Sequence, residues 1–185
     1  MEVRVAGELS SASEAVLEVS HIYPDAPKPG IRDGIITEEM LLFMEELLKE
    51  TNSRALFLWL LKITLEITAP VYWWNQCARY FQEIEWVRRH PVEAGDRELL
   101  RHEDFEGGVP SLLLETMNEQ IKHGERTLLA DTLPDNFFRR GYVHTDYAEL
   151  RSLYRDRGHY NKGHWRDFAV FLRGLRYANL LTVGL

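Results

Sequence analysis

Two different spacings of apolar residues alternate along this chain, and together they predict a mixture of strands and helices. Residues 2–5 and 61–69 alternate apolar with polar side chains, which is the two-residue period of a strand with one solvated face. Residues 38–50 and 111–130 instead repeat their apolar positions every three or four residues, as amphipathic helices do. The chain therefore combines both kinds of secondary structure.

Helix start signals precede two of the helical segments. Ser11 followed by Glu14 has the spacing of a capping box, in which each side chain satisfies a backbone N–H at the helix start. Thr37 stands before an acidic first turn, which suits the positive end of a helix. These signals predict helices that begin near residues 11 and 38.

The segment after the strand at 61–69 is interpreted as one long helix. Pro70 suits the first helical position, because its missing N–H is not needed there. The predicted helix runs to Arg89 or His90. Its basic end, which also contains Arg88, either matches the negative pole of the helix dipole or binds a phosphate.

This predicted helix carries an unusual polar side. At helical spacing Tyr72, Asn75, Gln76 and Arg79 fall on neighbouring ridges. Amide and guanidinium groups on one surface can bind a planar hydrogen-bonding ring or a phosphate. The alternative is a half-buried helix whose polar side meets solvent or a subunit, and periodicity alone leaves both interpretations open.

A second basic cluster lies late in an otherwise acidic chain. A glycine-flanked break between two predicted helices exposes backbone N–H groups, and such a break suits an anion. The alternative is a solvated charged surface. The cluster consists of Arg155, Arg157, His159, Lys162, His164 and Arg166.

The order of the segments predicts an α+β fold. Residues 1–185 are expected to form a single domain in which long central helices pack with a small, mainly antiparallel sheet. Residues 24–36, rich in proline and glycine, and residues 91–110 are predicted loops.

Composition removes several classes of function. A net charge of −7 argues against non-specific binding to nucleic acid or to a membrane. Cys77 is the only cysteine, so no internal disulfide can form and no CxxC metal site exists. Phosphate-loop, GxSxG and GxGxxG motifs are absent, and no histidines have metal-ligand spacing. No signal-peptide pattern opens the sequence, so we expect a cytoplasmic protein.

Two blocks of sequence resemble the flavin-dependent thymidylate synthase family, and more closely its short divergent relatives in bacteriophages. The first block is "LEITAPVYWWNQCARYF", where the family has a strand ending in Ala-Pro and then a helix reading Arg-Gln-x-x-Arg-His-Arg. The second is "LPDNFFRRGYVHTDYAELRSLYRDRGHYNKGHWRDF", which is similar to the family's Leu-Pro turn, extended segment and last two helices.

The resemblance implies a homo-oligomer, a dimer or a tetramer, that binds FAD. It also implies that a methylene group passes from methylene-tetrahydrofolate to dUMP or a related pyrimidine nucleotide, with NADPH regenerating the reduced flavin. No membrane or nucleic-acid partner is implied.

The resemblance also assigns roles to particular residues. Asn75, Gln76, Arg79 and Ser152 are expected to bind the cofactor. Arg157 matches the arginine that holds the pyrimidine base, and is expected to be both catalytic and substrate-binding.

The family's phosphate-binding residues have fewer counterparts in this sequence. Arg166 is similar to the polar residue that closes the family's last motif. The family's Asn-Glu-x-Ser-x-Arg motif is replaced by "EIEWVRRHPVE", so Arg88 and Arg89 are the expected phosphate ligands.

The sequence also departs from the family inside the first block. Tyr80 and Phe81 stand where the family has histidine and arginine. Loss of these charged contacts favours a second hypothesis, a catalytically inactive protein that keeps the fold to bind a nucleotide or a protein partner.

Overall fold

The structure is a computed structural model, and it describes residues 1–7, 11–50, 55–81, 83–88, 99–160 and 162–185. Arg89 lies outside these residues, and Arg88 is described only as backbone. None of the described helices is both long enough and apolar enough to cross a lipid bilayer.

A four-stranded antiparallel sheet forms the centre of the fold, with the strand order β1-β4-β6-β5. A separate two-stranded hairpin, β2-β3, lies within the predicted loop 24–36. The strands are β1 Glu2–Val5, β2 Ile31–Arg32, β3 Ile35–Ile36, β4 Lys62–Pro70, β5 Glu83–Arg88 and β6 Phe138–Asp146.

Helices cover one side of the sheet and surround its ends, which confirms the predicted α+β class. A short 3-10 helix, His102–Asp104, lies within the described part of the predicted loop 91–110, of which 91–98 fall outside the described residues. The α-helices are α1 Ala12–Ile22, α2 Glu38–Glu50, α3 Leu56–Leu60, α4 Val71–Cys77, α5 Ser111–His123, α6 Arg126–Thr132, α7 Tyr147–Arg157, α8 Gly163–Arg173 and α9 Ala178–Thr182.

Central strand β4 has the two faces that its sequence predicts. Ile63, Leu65 and Ile67 are at most 4% exposed and pack into the main hydrophobic core against the helices. The polar residues that alternate with them point to the other face, as the two-residue period requires. Glu66 is the exception, since it lies on the polar face and is nevertheless 6% exposed.

Glu66 is covered by two arginines from the neighbouring strands. Arg4 on β1 donates from Nε and Nη2 to Glu66 Oε2, at 2.9 and 2.6 Å, and Arg140 on β6 pairs with Oε1. Burial opposes ionisation, but the hydrogen bonds and charges of the two arginines outweigh it and lower the pKa of Glu66. One carboxylate thus joins three strands.

The prediction of one long helix over residues 70–90 is wrong. Pro70 ends strand β4, helix α4 stops at Cys77, and residues 83–88 form edge strand β5. Ile84 and Trp86 pack on the core side of the sheet opposite Val143 and Gly141 of β6. Pairing with β6 and burial of these two side chains favour the strand over helix propensity. Arg88 therefore ends a strand, and the helix-dipole interpretation of the basic end fails.

Two further local predictions also need correction. Ser11 does precede α1, but it has φ 69° and its side chain makes no capping hydrogen bond, so no capping box forms. The helix predicted over 111–130 is interrupted at Gly124, whose φ of 72° is the left-handed conformation that ends α5. Asp146 does cap a helix, because its Oδ1 accepts from two N–H groups in the first turn of α7, both at 3.0 Å.

The buried apolar residues in the described part of the chain form two hydrophobic clusters. The main cluster lies between the sheet and helices α1–α4 and α7–α9. A smaller one gathers Phe105, Met117, Leu129 and Phe137 beneath α5 and α6. Val71, at the start of α4, packs against the smaller cluster, while Trp73 is buried in the main one, so α4 connects the two.

We expect Glu66→Gln to lower the thermal unfolding temperature at pH 7, because it removes the charge that pairs with Arg4 and Arg140. The pKa of Glu66 is lowered in the folded state. Its stabilising contribution is therefore present above the unfolded value of about 4.3 and is lost as pH falls through the lower folded value.

Thermal melts between pH 3 and 7 check this prediction, with Glu83→Gln, an exposed carboxylate on the edge strand, as the control. Equal melting temperatures of the Glu66 variant and the wild type at pH 7 would contradict it.

Candidate functional site

Helix α4 presents its polar side outward, as its sequence predicts. Asn75 and Gln76 on α4 and Arg79 in the turn after it are exposed, whereas Trp73 and Cys77 are at most 1% exposed. Burial raises the pKa of the Cys77 thiol well above its usual range, so this group is neither a nucleophile nor a metal ligand here.

Trp165 connects Gln76 on α4 with Arg157 of the second basic cluster. Trp165, in the first turn of α8, donates its indole N–H to Gln76 Oε1 at 2.8 Å. The same indole ring lies 5.1 Å from the guanidinium carbon of Arg157, at the end of α7, and the Tyr160 ring lies 5.0 Å from it. We call Gln76, Arg157, Tyr160 and Trp165 the Arg157 cluster.

Arg157 is held by aromatic side chains. Its guanidinium lies within cation–π distance of two rings. Burial acts to lower the pKa of Arg157, but hydrogen bonding with Tyr80 and Tyr160 outweighs it and raises that pKa. The group is a fixed cation at any physiological pH.

A cavity of about 410 Å³ lies between α3, α7 and the residues that follow α4, and its lining residue Tyr80 bonds Asp156, the residue before Arg157. Its apolar wall includes Trp59, which is 48% exposed. We call it the Arg79 cavity, and its polar lining consists of Arg79, Tyr80, Glu149, Arg151, Ser152 and Arg155.

The polar groups of the Arg79 cavity differ in how far they are already engaged. Arg151 donates to the carbonyls of Leu180 and Val183, at 3.0 and 2.7 Å, and so ties the chain end to α7. Glu149 accepts from Thr145 at 2.7 Å, and burial raises the pKa of its carboxyl. These two residues are structural.

The structure brings together some of the predicted site residues and separates others. Gln76 and Arg157 share one cluster, and Arg79 and Ser152 line one cavity. Asn75 is exposed on α4 outside that cavity lining. Arg88 lies at the end of β5, and Arg166 is exposed on α8.

Sequence reasoning missed a half-buried group of titratable side chains at the start of α4. Tyr72 donates its hydroxyl to Glu106 Oε2 at 2.6 Å, and His164 Nε2 lies 2.9 Å from Glu106 Oε1. The Tyr72 and His164 rings stack with centroids 6.0 Å apart. Burial and the carboxylate raise the pKa of Tyr72 to about 12. Glu106 lies in a glycine-containing loop without periodicity, so no sequence signal pointed to it.

Comparison with known proteins supports the fold. No family model matches the chain, and no curated protein matches it. A crystal structure of the flavin-dependent thymidylate synthase ThyX from Helicobacter pylori, complexed with FAD and dUMP, matches with a TM-score of 0.69 and 14% identity, over 95% of this chain and 94% of that one. The chain has a ThyX-like fold.

A second structure of the same Helicobacter pylori enzyme with FAD and dUMP agrees. Its TM-score is 0.68 at 14% identity, over 98% of this chain and 97% of that one. At an identity this low, the structural likeness shows a shared fold alone. The functional argument for the ThyX-like chain therefore depends on its own residues.

We expect Tyr72→Phe to destabilise the protein by about 1 kcal/mol, because it removes a hydrogen bond to a partly exposed carboxylate. The pKa of Tyr72 is raised in the folded state. The contribution of its hydroxyl is therefore fully present below pH 10, the unfolded value, and is lost as pH rises towards 12.

Urea titrations at pH 7 and above pH 10 measure this difference, with Tyr23→Phe, a half-buried tyrosine packed against Phe43, as the control. If the difference in unfolding free energy between the wild type and the Tyr72 variant grows as pH rises, the expected linkage is wrong.

Proposed function

We propose that the protein is a nucleotide-modifying enzyme of the flavin-dependent thymidylate synthase type, which methylates dUMP or a related pyrimidine nucleotide with methylene-tetrahydrofolate. The supporting observations are two: Gln76 and Arg157 meet at Trp165, and Arg79 and Ser152 line a cavity. Tyr80 of that cavity bonds Asp156, the residue before Arg157, so cations, an amide and aromatic rings from distant parts of the chain lie in one region, and such groups suit a flat anionic nucleotide.

The groups in the Arg79 cavity fit part of a nucleotide cofactor such as FAD. Arg79 and Arg155 supply guanidinium donors for a phosphate, and Ser152 supplies a hydroxyl. Trp59 presents an exposed ring to the same space, on which a flat heterocycle can stack. When bound, FAD in its reduced form would supply the hydride, and NADPH would regenerate it.

The protein's own contribution to the chemistry centres on Arg157. A permanently charged guanidinium beside the pyrimidine would donate hydrogen bonds to the ring carbonyl oxygens. These bonds strengthen as negative charge builds on the ring in the transition state, and so lower the barrier. Trp165 and Tyr160 hold the guanidinium in place before the substrate arrives.

The remaining predicted roles belong to the same proposal. Asn75 would contact the cofactor, and Arg88, Arg89 and Arg166 would bind the nucleotide phosphate. The proposal also includes a homo-oligomer, either a dimer or a tetramer. It further places the protein in the cytoplasm of a bacterium or of a phage-infected host.

Phe81 favours the second hypothesis, a protein that binds a ligand without turnover. It stands where the family has an arginine, is 5% exposed and packs edge-on against Phe168. A buried phenylalanine supplies no contact to a charged cofactor. Several such losses could weaken cofactor binding strongly, since each 1.4 kcal/mol is about tenfold in affinity.

The absorbance spectrum of the purified protein distinguishes the two functions. The proposed enzyme is expected to be yellow, or to become yellow with added FAD, and to oxidise NADPH only when dUMP is present. A colourless protein that takes up neither FAD nor dUMP in calorimetry would refute the proposed function. Uptake of dUMP without NADPH oxidation would support the inactive binding protein.

Arg157→Ala should lower dUMP-dependent turnover by about 10²–10³-fold, the usual loss when one donor to developing charge is removed. The control is Arg173→Ala, which removes an exposed arginine of α8 that contacts Tyr154 outside the cluster. Steady-state rates and circular dichroism of both variants test this prediction. Unchanged turnover in the Arg157 variant would exclude its assigned role.

A further inference from the structure

A second cavity, of about 430 Å³, opens at the edge of the sheet beside strand β1. Its walls come from four parts of the chain, which are the end of β1, the start of β4, the start of α7 and the turn between α8 and α9. We call it the edge cavity, and its lining includes Val5, Ala6, Ile63, Tyr147, Leu175 and Arg176.

The edge cavity is separate from the candidate site. It shares no lining residue with the Arg79 cavity. Tyr147 begins α7 and Arg157 ends it, so a rise of about 1.5 Å per residue puts about 15 Å of helix between them. A ligand in the edge cavity would therefore occupy a site of its own, whatever the Arg157 cluster binds.

Most of the wall of the edge cavity is apolar. Ile63 and Leu175 are 4% and 8% exposed and belong to the main hydrophobic core. Val5 lies at the end of β1 and is 44% exposed, which is unusual for a large apolar residue beside a core. Small-molecule sites commonly enclose about 300–1,000 Å³ and have an apolar wall with a few polar groups.

The walls are held in place by backbone hydrogen bonds to β4. The N–H of Ala6 donates to the carbonyl of Thr64 at 2.9 Å, and the N–H of Tyr147 donates to the carbonyl of Leu61 at 3.1 Å. Two sides of the cavity are thus fixed to the central strand, so the space exists without a ligand.

Tyr147 contributes a hydroxyl that the fold does not use. The residue is 0% exposed, and its hydroxyl has no hydrogen-bond partner in the described part of the chain. The backbone N–H of Tyr177 lies near the oxygen without reaching hydrogen-bonding geometry, and as a donor it cannot accept the phenolic hydrogen. Burial raises the pKa of this hydroxyl to about 12, so it keeps its hydrogen at neutral pH. A buried hydroxyl without an acceptor is rare in a folded protein and calls for an explanation.

Arg176 adds a positive charge to the same cavity. Its side chain is exposed and makes no hydrogen bond or ion pair with any residue that the structure describes. A guanidinium is matched best by a planar anion, to which it can donate two parallel hydrogen bonds. A carboxylate is such an anion, carries the single charge that one arginine balances, and can also accept from a tyrosine hydroxyl.

We infer that the edge cavity binds a small organic acid, with its apolar body against Val5, Ile63 and Leu175 and its carboxylate accepting hydrogen bonds from Arg176 and Tyr147. The ligand gives the unused hydroxyl an acceptor and the unpaired guanidinium an anion.

Calorimetry with octanoate, kept below the concentration at which it forms micelles, tests the carboxylate contact. Octanoate is expected to bind the wild type and to bind Arg176→Gln about tenfold more weakly, while 1-octanol, which has no charge, binds the wild type weakly. The control is Arg173→Gln, which removes an exposed arginine of α8 outside the cavity lining and should bind like the wild type. No uptake of octanoate by the wild type, or equal affinity in Arg176→Gln, overturns the inference.

NMR shows where octanoate binds. Its chain protons are expected to give nuclear Overhauser effects to the δ1 methyl group of Ile63, assigned from its loss in Ile63→Val. Binding without any such effect would place the ligand elsewhere and overturn the inference.

Two tyrosine variants test whether the Tyr147 hydroxyl is free for a ligand. Without octanoate, Tyr147→Phe should keep the melting temperature of the wild type, because no bond is lost. Tyr177→Phe should lower it, because the Tyr177 hydroxyl accepts from the Ile36 N–H at 3.1 Å. Tyr147→Phe should also weaken octanoate binding. If Tyr147→Phe melts as early as Tyr177→Phe, or binds octanoate as tightly as the wild type, the inference is overturned.

Discussion

The packing of Trp73 against Trp165 is the contact on which the candidate site depends. These rings, from α4 and α8, are 1% and 7% exposed, with centroids 5.3 Å apart. Burial of one tryptophan removes 150–250 Å² from water, worth about 4–6 kcal/mol at 25 cal/mol per Å². That contact fixes the distance between two helices that the chain separates widely. The Gln76 bond to the Trp165 indole then sets their rotation, because a hydrogen bond is directional where apolar packing is not.

Phe81 and Tyr80, which stand where the family that the chain resembles has charged residues, lie in different environments in this structure. Phe81 has joined the main hydrophobic core, where it stabilises the fold and cannot reach a ligand. Tyr80 has stayed at the surface of the site, where its hydroxyl bonds Arg79 and Asp156.

The predictable parts of this structure are those that local chemistry decides. The alternation in residues 61–69 and the polar side of α4 follow from the sequence, because each depends on side chains within one element. Strand β5 does not, since its pairing with β6 and the burial of Trp86 are properties of distant residues. The Tyr72–Glu106 contact is equally non-local, because it joins a helix start to a glycine loop. Motif resemblance predicts a role for Arg157, but its contact with Trp165 required coordinates.

The proposed function requires the polar side of α4 and the end of α7 to enclose one ligand. A crystal structure of the protein grown with dUMP tests this most directly. The proposed function predicts the pyrimidine ring against Arg157, with the phosphate bound by Arg88, Arg89 or Arg166. A nucleotide bound elsewhere on the chain, or a Tyr160 ring still seated on Arg157 with dUMP outside the cluster, would contradict it.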